Sequence, residues 1–281
     1  MTRAATTDLL TGTDAAICAF NVIHLESAEA IAAGAEQAEA PVIMQISENC
    51  VKYHGSLAPI ARAAMAIAES ARVPIAVHLD HATDVDLVTE ALELDFDSVM
   101  YDGAHLSFAK NCAITAEVVR RAHGRGIGVE AELGEIGGKD GAHAPGVRTD
   151  PSAAAEFVTE TGVDALAVAI GTSHAMVERT SRLDLELIAE LAARLPVPLV
   201  LHGSSGVADD EIRRAVAAGM AKINISTHLN KLFSDSVRAT LEAHPDMVDS
   251  RKYFGPAREV FAAEAARLIG LLCNPLGQDR D

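Results

Sequence analysis

Val77-His78-Leu79-Asp80-His81 places two imidazoles and a carboxylate at the end of a short apolar run that begins after Pro74. Strand alternation puts His78 and Asp80 on one face with Leu79 on the other, while His81 falls where the strand passes into a loop. Imidazole and carboxylate side by side suit a metal site with a proton-transfer group next to it. Two more apolar runs end the same way, Ala167-Val168-Ala169-Ile170-Gly171-Thr172-Ser173-His174 and Pro198-Leu199-Val200-Leu201-His202-Gly203. A single histidine at a strand end is more often a hydrogen-bonded structural residue than a ligand. Three of them, His81, His174 and His202, can hold zinc or a similar divalent ion with one coordination position open. Glu132 is a fourth or alternative ligand, and its competing reading is a buried ion pair with Lys222. His78 is read as orienting a ligand or packing nearby, because His81 already serves that strand.

The elements that must position these groups follow from apolar runs and their punctuation. Strands are expected at 16–20, 42–46, 75–79, 97–101, 128–132, 165–170, 198–201 and 222–225, after a polar leader. Each is followed by a helix-length segment: 25–40, 57–71, one opening near Asp84, 107–123, 151–161, 183–195, one opening at Asp209 and ending at Gly219, and a helical remainder to about 272. That remainder is expected to break near Pro245 and at Gly255-Pro256. Eight such units without an obvious linker predict one domain over 1–281, an α/β fold of the (β/α)8 TIM-barrel type with a C-terminal helical extension. A doubly wound sheet competes, but no GxGxxG follows the first strand.

Closing the barrel would gather the polar strand ends Asn21, Ser47, Asp80, Asp102, Glu132, His174, His202 and Asn224 around one mouth. The loops Gly203-Ser204-Ser205-Gly206 and Asn224-Ile225-Ser226-Thr227 follow the seventh and eighth strands, where barrels commonly bind phosphate. The long glycine-rich stretch 134–150 carries Lys139, Asp140, His143 and Arg148, and loops of that length are usually functional or mobile.

Composition narrows the partners. The chain has 281 residues, 49% of them hydrophobic, enough for a full core; with no Trp and 4% aromatics, that core must rest on Ala, Val, Ile and Leu. Its 40 acidic and 23 basic residues give a formal charge of -17, which disfavours nucleic acid and anionic membranes. Cys18, Cys50, Cys112 and Cys273 show no CxxC spacing, as for free thiols in a reducing compartment. No secretory leader or membrane-spanning run is evident, so a cytoplasmic location is expected.

From Ala19-Phe20-Asn21-Val22 through His78-Leu79-Asp80-His81, Glu130-Ala131-Glu132-Leu133-Gly134, Ala169-Ile170-Gly171-Thr172-Ser173-His174 and Leu201-His202-Gly203 to Tyr253-Phe254-Gly255-Pro256, the chain resembles the class II, metal-dependent fructose-bisphosphate and tagatose-bisphosphate aldolases. The resemblance implies that His81, His174 and His202 bind one catalytic zinc, with a second metal or a monovalent cation as a further option. It implies that Asp80 is the acid acting on the aldehyde, and that Gly203, Ser204 and Ser205 with Asn224, Ile225, Ser226 and Thr227 hold the dihydroxyacetone phosphate half. Asn21, Ser47 and Ala175 join the implied substrate contacts. Where the family places a glutamate after the fifth strand, Gly137-Gly138-Lys139-Asp140 offers Asp140. Ala175 stands where the family usually has glycine. Arg251 resembles a position that reaches the distal phosphate from a neighbouring subunit, so a homo-oligomer, dimer or tetramer, is implied.

Three other readings compete. A barrel hydrolase would place His-x-His on the first strand, where this chain has Phe20-Asn21. A Schiff-base aldolase needs a desolvated lysine at a strand end, whereas Lys222 begins its strand. A sugar-phosphate-binding barrel without catalysis is the non-enzyme alternative.

Overall fold

In a computed structural model, residues 3–11, 15–134, 148–172, 176 and 178–273 are described. The strands are β1 (Ile17–Asn21), β2 (Val42–Ser47), β3 (Ile75–Ala82), β4 (Ser98–Tyr101), β5 (Gly128–Leu133), β6 (Ala165–Val168), β7 (Leu199–Leu201) and β8 (Met220–Ile225). They pair in sequence order, all parallel, and β8 closes on β1, so the expected (β/α)8 barrel is the observed fold. The helices are α1 (Thr6–Thr11), α2 (Leu25–Ala38), α3 (Glu48–His54), α4 (Ala58–Ser70), α5 (Val85–Glu93), α6 (Phe108–His123), α7 (Pro151–Thr161), α8 (Leu185–Arg194), α9 (Asp209–Ala217), α10 (Thr227–Ala243) and α11 (Ser250–Cys273).

Local chemistry sets many of their ends. Asp150 caps α7 through Ser152 and Ala153 with Pro151 in the first turn, and Gly162 closes it at φ 70°. Asp84 caps α5 through Asp86. The barrel interior is filled by a small cluster, Ile17, Ala19, Ile43, Ala76, Ala165, Ala167 and Val200, sealed by Leu10 of α1. A larger cluster occupies the layer between strands and helices, including Phe20, Met44, Leu79, Val99, Phe157 and Leu201. No helix among the described residues is long and apolar enough to cross a membrane.

The structure departs from the sequence reading in several places; β3 runs to Ala82, three residues past its expected end, so that His81 lies within the strand. The polar leader contains α1, where Thr6 hydrogen-bonds Ser98 and Leu10 turns inward, so a six-residue helix is stabilised by what it covers rather than by its own propensity. α3 follows β2 at once, because Ser47 accepts from the Cys50 amide and buried Glu48 accepts from the Thr83 amide and hydroxyl. β6 stops two residues earlier than expected, since Thr149 takes the hydrogen bonds of Ala169 that would have continued the ladder. α11 runs through Gly255-Pro256 unbroken; Ala257 and Phe261 are buried just beyond, and that packing outweighs the lost backbone bond.

Candidate functional site

Adjacent strand residues ordinarily face opposite ways, yet Asp80 and His81 lie together at the barrel mouth. The reason is local: the β3 to β4 register shifts between Leu79 and Ala82, and His81 takes a left-handed conformation at φ 50°. A bulge of this kind turns consecutive side chains toward one point, and left-handed backbone outside glycine is a feature that clusters at functional sites. Asp80 is then held by neighbouring strands. Asn21 Nδ2 donates to Asp80 Oδ2 at 3.0 Å, and Gln45 Nε2 donates to Asn21 Oδ1 at 2.9 Å. Asp80 Oδ1 is buried without a hydrogen-bond partner among the described residues.

Across the mouth, His81 and His202 meet edge to face with ring centroids 4.4 Å apart. His81 Nδ1 lies 3.0 Å from Asp102 Oδ2 and 3.8 Å from Glu132 Oε2, and its Nε2 is 4.0 Å from Asp80 Oδ1. His202 Nδ1 lies 3.3 Å from Glu132 Oε2. Ligand atoms of Asp80, His81 and His202 fall within 4.8 Å of one another, as do those of His81, Asp102 and Glu132. Imidazole nitrogens and carboxylate oxygens this close, with an orphaned carboxylate oxygen among them, fit a divalent ion. His174 lies outside the described residues.

Beneath the mouth sits a fully enclosed layer. Glu130 accepts from Lys222 Nζ at 2.6 Å and shares a hydrogen bond with His202 Nε2 at 2.9 Å. The ion pair that the sequence offered as the competing fate of Glu132 therefore belongs to Glu130. His78 bonds Ser98 through Nδ1 at 2.6 Å, and its Nε2 is 3.8 Å from Glu130 Oε2. Burial and the Lys222 cation push the His78 ring down to about 3, so it is neutral. Burial also works against charge on His202, but Glu130 and Glu132 outweigh it and push the ring up to about 9. The pair of carboxylates that attracts a proton there would attract a divalent cation in its place. Burial opposes ionisation of Glu130 and Asp80 too, and the surrounding Lys222 and histidines still hold both carboxyls below the usual range.

The two small-residue loops adjoin this cluster. Gly203 is left-handed at φ 69° and leads into a 3-10 turn at Ser204–Gly206. The Ser204 hydroxyl donates to the Asn224 carbonyl, which ties the loop to β8. Ser205 Oγ accepts from the His228 amide at 3.2 Å, beside the start of α10, and Ser226 makes no side-chain cap there. Both side-chain atoms of Asn224 and the hydroxyl of Thr172 are buried without partners among the described residues. Backbone amides at a helix start and unspent polar atoms form a cradle suited to phosphate oxygens. Ile225 is buried, so only its backbone can contribute.

Of the other residues expected from sequence, Ser47 is spent partly as the α3 cap. Arg251 is exposed on α11 and bonded to Asp249, not to a residue of the mouth. Asp140 and Ala175 lie outside the described residues. The sequence places Asp102 at the mouth without pointing to a ligand role, and by itself assigns none to Gln45 or Glu130. Parity could have found Glu130, which shares a strand face with Glu132, and Gln45, which pairs in register with His78.

The chain is similar to known proteins over nearly its whole length. The family model described as Fructose-bisphosphate aldolase class-II matches residues 6–275. A fructose-bisphosphate aldolase of Thermus caldophilus is 40% identical over 268 residues, covering 86% of this chain and 87% of that protein. One of Geobacillus stearothermophilus is 37% identical over 252 residues, 88% of each. Among solved structures, the YdjI aldolase from Escherichia coli K12 superposes with a TM-score of 0.81 at 31% identity, covering 95% of this chain and 94% of that one.

Proposed function

Because the chain belongs to the class II fructose-bisphosphate aldolase family, whose members are metal-dependent lyases acting on phosphorylated sugars, we propose that it reversibly cleaves a ketose 1,6-bisphosphate of the fructose or tagatose type. The products would be dihydroxyacetone phosphate and an aldehyde such as glyceraldehyde 3-phosphate. The observation that carries this reading is the bulge that brings Asp80 and His81 to one point opposite His202.

His81, His202 and Glu132, with His174, are assigned to hold the metal, taken to be zinc. Bound there, the ion would polarise the ketose oxygens and favour negative charge on them. Asp80, fixed through Asn21 and Gln45, exchanges a proton with the C4 oxygen of the substrate. Asp140 serves the carbanion carbon from the loop after β5. Gly203, Ser204 and Ser205 with Asn224, Ile225, Ser226 and Thr227 hold the phosphate next to the cleaved bond, and Asn21, Ser47 and Ala175 line the substrate. Arg251 reaches the distal phosphate from a neighbouring subunit of a dimer or tetramer. Residues 1–281 act as one domain, in the cytoplasm, where the cysteines stay as the free thiols observed for Cys18, Cys50, Cys112 and Cys273.

The test is a cleavage screen of fructose 1,6-bisphosphate, tagatose 1,6-bisphosphate and monophosphorylated ketoses, with and without chelator. Cleavage of a bisphosphate that chelator abolishes and zinc restores is the expected result. Turnover unaffected by complete metal removal would refute the metal assignment. Full metal occupancy with no turnover of any ketose phosphate would favour the sugar-phosphate-binding barrel.

A further inference from the structure

We propose that Glu130, tethered by Lys222, is a positioning residue that presents Nδ1 of His202 to the metal. The inference rests on the metal reading above. Glu130 on β5, Lys222 on β8 and His202 after β7 reach one another across the barrel interior, and all three are almost completely removed from solvent. The two oxygens of Glu130 have separate tasks. Oε2 accepts from Lys222 Nζ at 2.6 Å, and Oε1 meets His202 Nε2 at 2.9 Å.

A structural ion pair alone needs only the first of these contacts. The second decides which ring nitrogen of His202 is which: in a neutral imidazole one nitrogen donates and the other carries the lone pair. With its Nε2–H donated to Glu130, a His202 that gives up its other proton to a metal presents its lone pair at Nδ1, the atom that lies 3.3 Å from Glu132 and faces the ligand cluster. Rotation of the ring is opposed from the other side by His81, packed edge to face. Rotation of the Glu130 carboxylate is opposed by Lys222 and by His78, whose own ring is fixed through Ser98 to Thr6. A chain of buried contacts thus runs from α1 at the base of the barrel to one face of the proposed metal site, and it ends on a hydrogen bond rather than on a ligand.

The test compares two double variants that both remove the buried charges together, so that neither leaves an uncompensated ion. Glu130→Gln with Lys222→Met keeps an acceptor for Nε2–H, whereas Glu130→Leu with Lys222→Met removes it. Zinc affinity, read by competition with a chelating dye, should stay within about threefold of wild type in the first and fall about 10- to 100-fold in the second. Circular dichroism checks that both are folded. Equal zinc affinity in the leucine variant and the wild type would overturn the positioning role while leaving the metal site standing; a wild type that binds no zinc would overturn both. Should the leucine variant fail to fold, nitrogen-15 spectra of histidine-labelled, zinc-loaded wild type decide the matter. A proton on Nε2 and zinc on Nδ1 of His202 is the expected pattern, and the reverse overturns it.

Discussion

Two carboxylates with different surroundings divide the proposed proton transfers between them. Asp80 is buried on a bulged strand and gripped by Asn21, whereas Asp140 belongs to the glycine-rich stretch 134–150. Asp80→Ala should nearly abolish cleavage of the ketose bisphosphate yet largely spare proton exchange on dihydroxyacetone phosphate, which needs only the metal and the carbanion-side base. Asp140→Ala should suppress that exchange, by about 100- to 10,000-fold for loss of a general base. Both rates are to be measured in both variants at equal metal content. Normal exchange in the Asp140 variant would reject that residue as the base. At this scale the sequence was informative where chemistry is carried by type and order, as in His78-Leu79-Asp80-His81. It was silent on partners: nothing local to Glu130 says that Lys222, 92 positions away, will take it instead of Glu132.

Among the elements, the contact of α2 with α11 and the ion network at the head of α10 make separate claims. Gly34 of α2 lies so close to α11 that an added Cβ would sit 2.7 Å from the Ala262 carbonyl and 2.8 Å from the Ala265 Cβ. Backbone cannot yield as a flexible side chain would. Gly34→Ala should therefore destabilise by about 1 to 3 kcal/mol despite the better helix propensity of alanine. Urea unfolding monitors this, and a gain in stability would show that the helices separate without cost. Glu264 of α11 bridges His228 of α10 and Arg267, and Arg267 in turn pairs with Asp209 at the start of α9. Burial favours the neutral Glu264, but Arg267 and His228 outweigh it and pull the carboxyl from 4.5 down to about 2. A carboxyl depressed on folding contributes stability that is fully present above about pH 4.5 and is lost as pH falls through about 2. Glu264→Gln should flatten the fall of stability across that window, as read by urea midpoints at successive pH values. An unchanged slope would show that the network is screened by solvent.

At the level of the whole molecule, the two ends of the barrel have different duties. The candidate site lies at the C-terminal strand ends, whereas α1 closes the opposite end with Leu10 against Ile17, Ile43 and Ala165. Leu10→Ala should cost about 2 to 5 kcal/mol by opening a cavity in the sealed interior. Its kcat/KM per folded molecule should stay at the wild-type level, since Leu10 packs in the apolar interior and takes no part in the contacts that lead from Thr6 through Ser98 and His78 toward His202. A changed Michaelis constant with unchanged stability would mean that the base of the barrel communicates with the mouth.

Eight apolar runs of strand length, each ending in a polar residue and each followed by a helix, were enough to reach the barrel, because period, length and breaker residues are local properties. The histidines and the serine loops were legible for the same reason. What tertiary structure alone decided is how neighbouring strands use each other. Register turns Gln45 and Asn21 into supports for Asp80, the β3 bulge defeats strand parity at His81, and closure of the barrel chooses Glu130 for Lys222. α1 belongs to the same class, a segment too short to be helical by itself until the barrel supplies the face it covers. Those outcomes depend on residues distant in sequence meeting without water between them, where one hydrogen bond or one charge is strong enough to select a single arrangement.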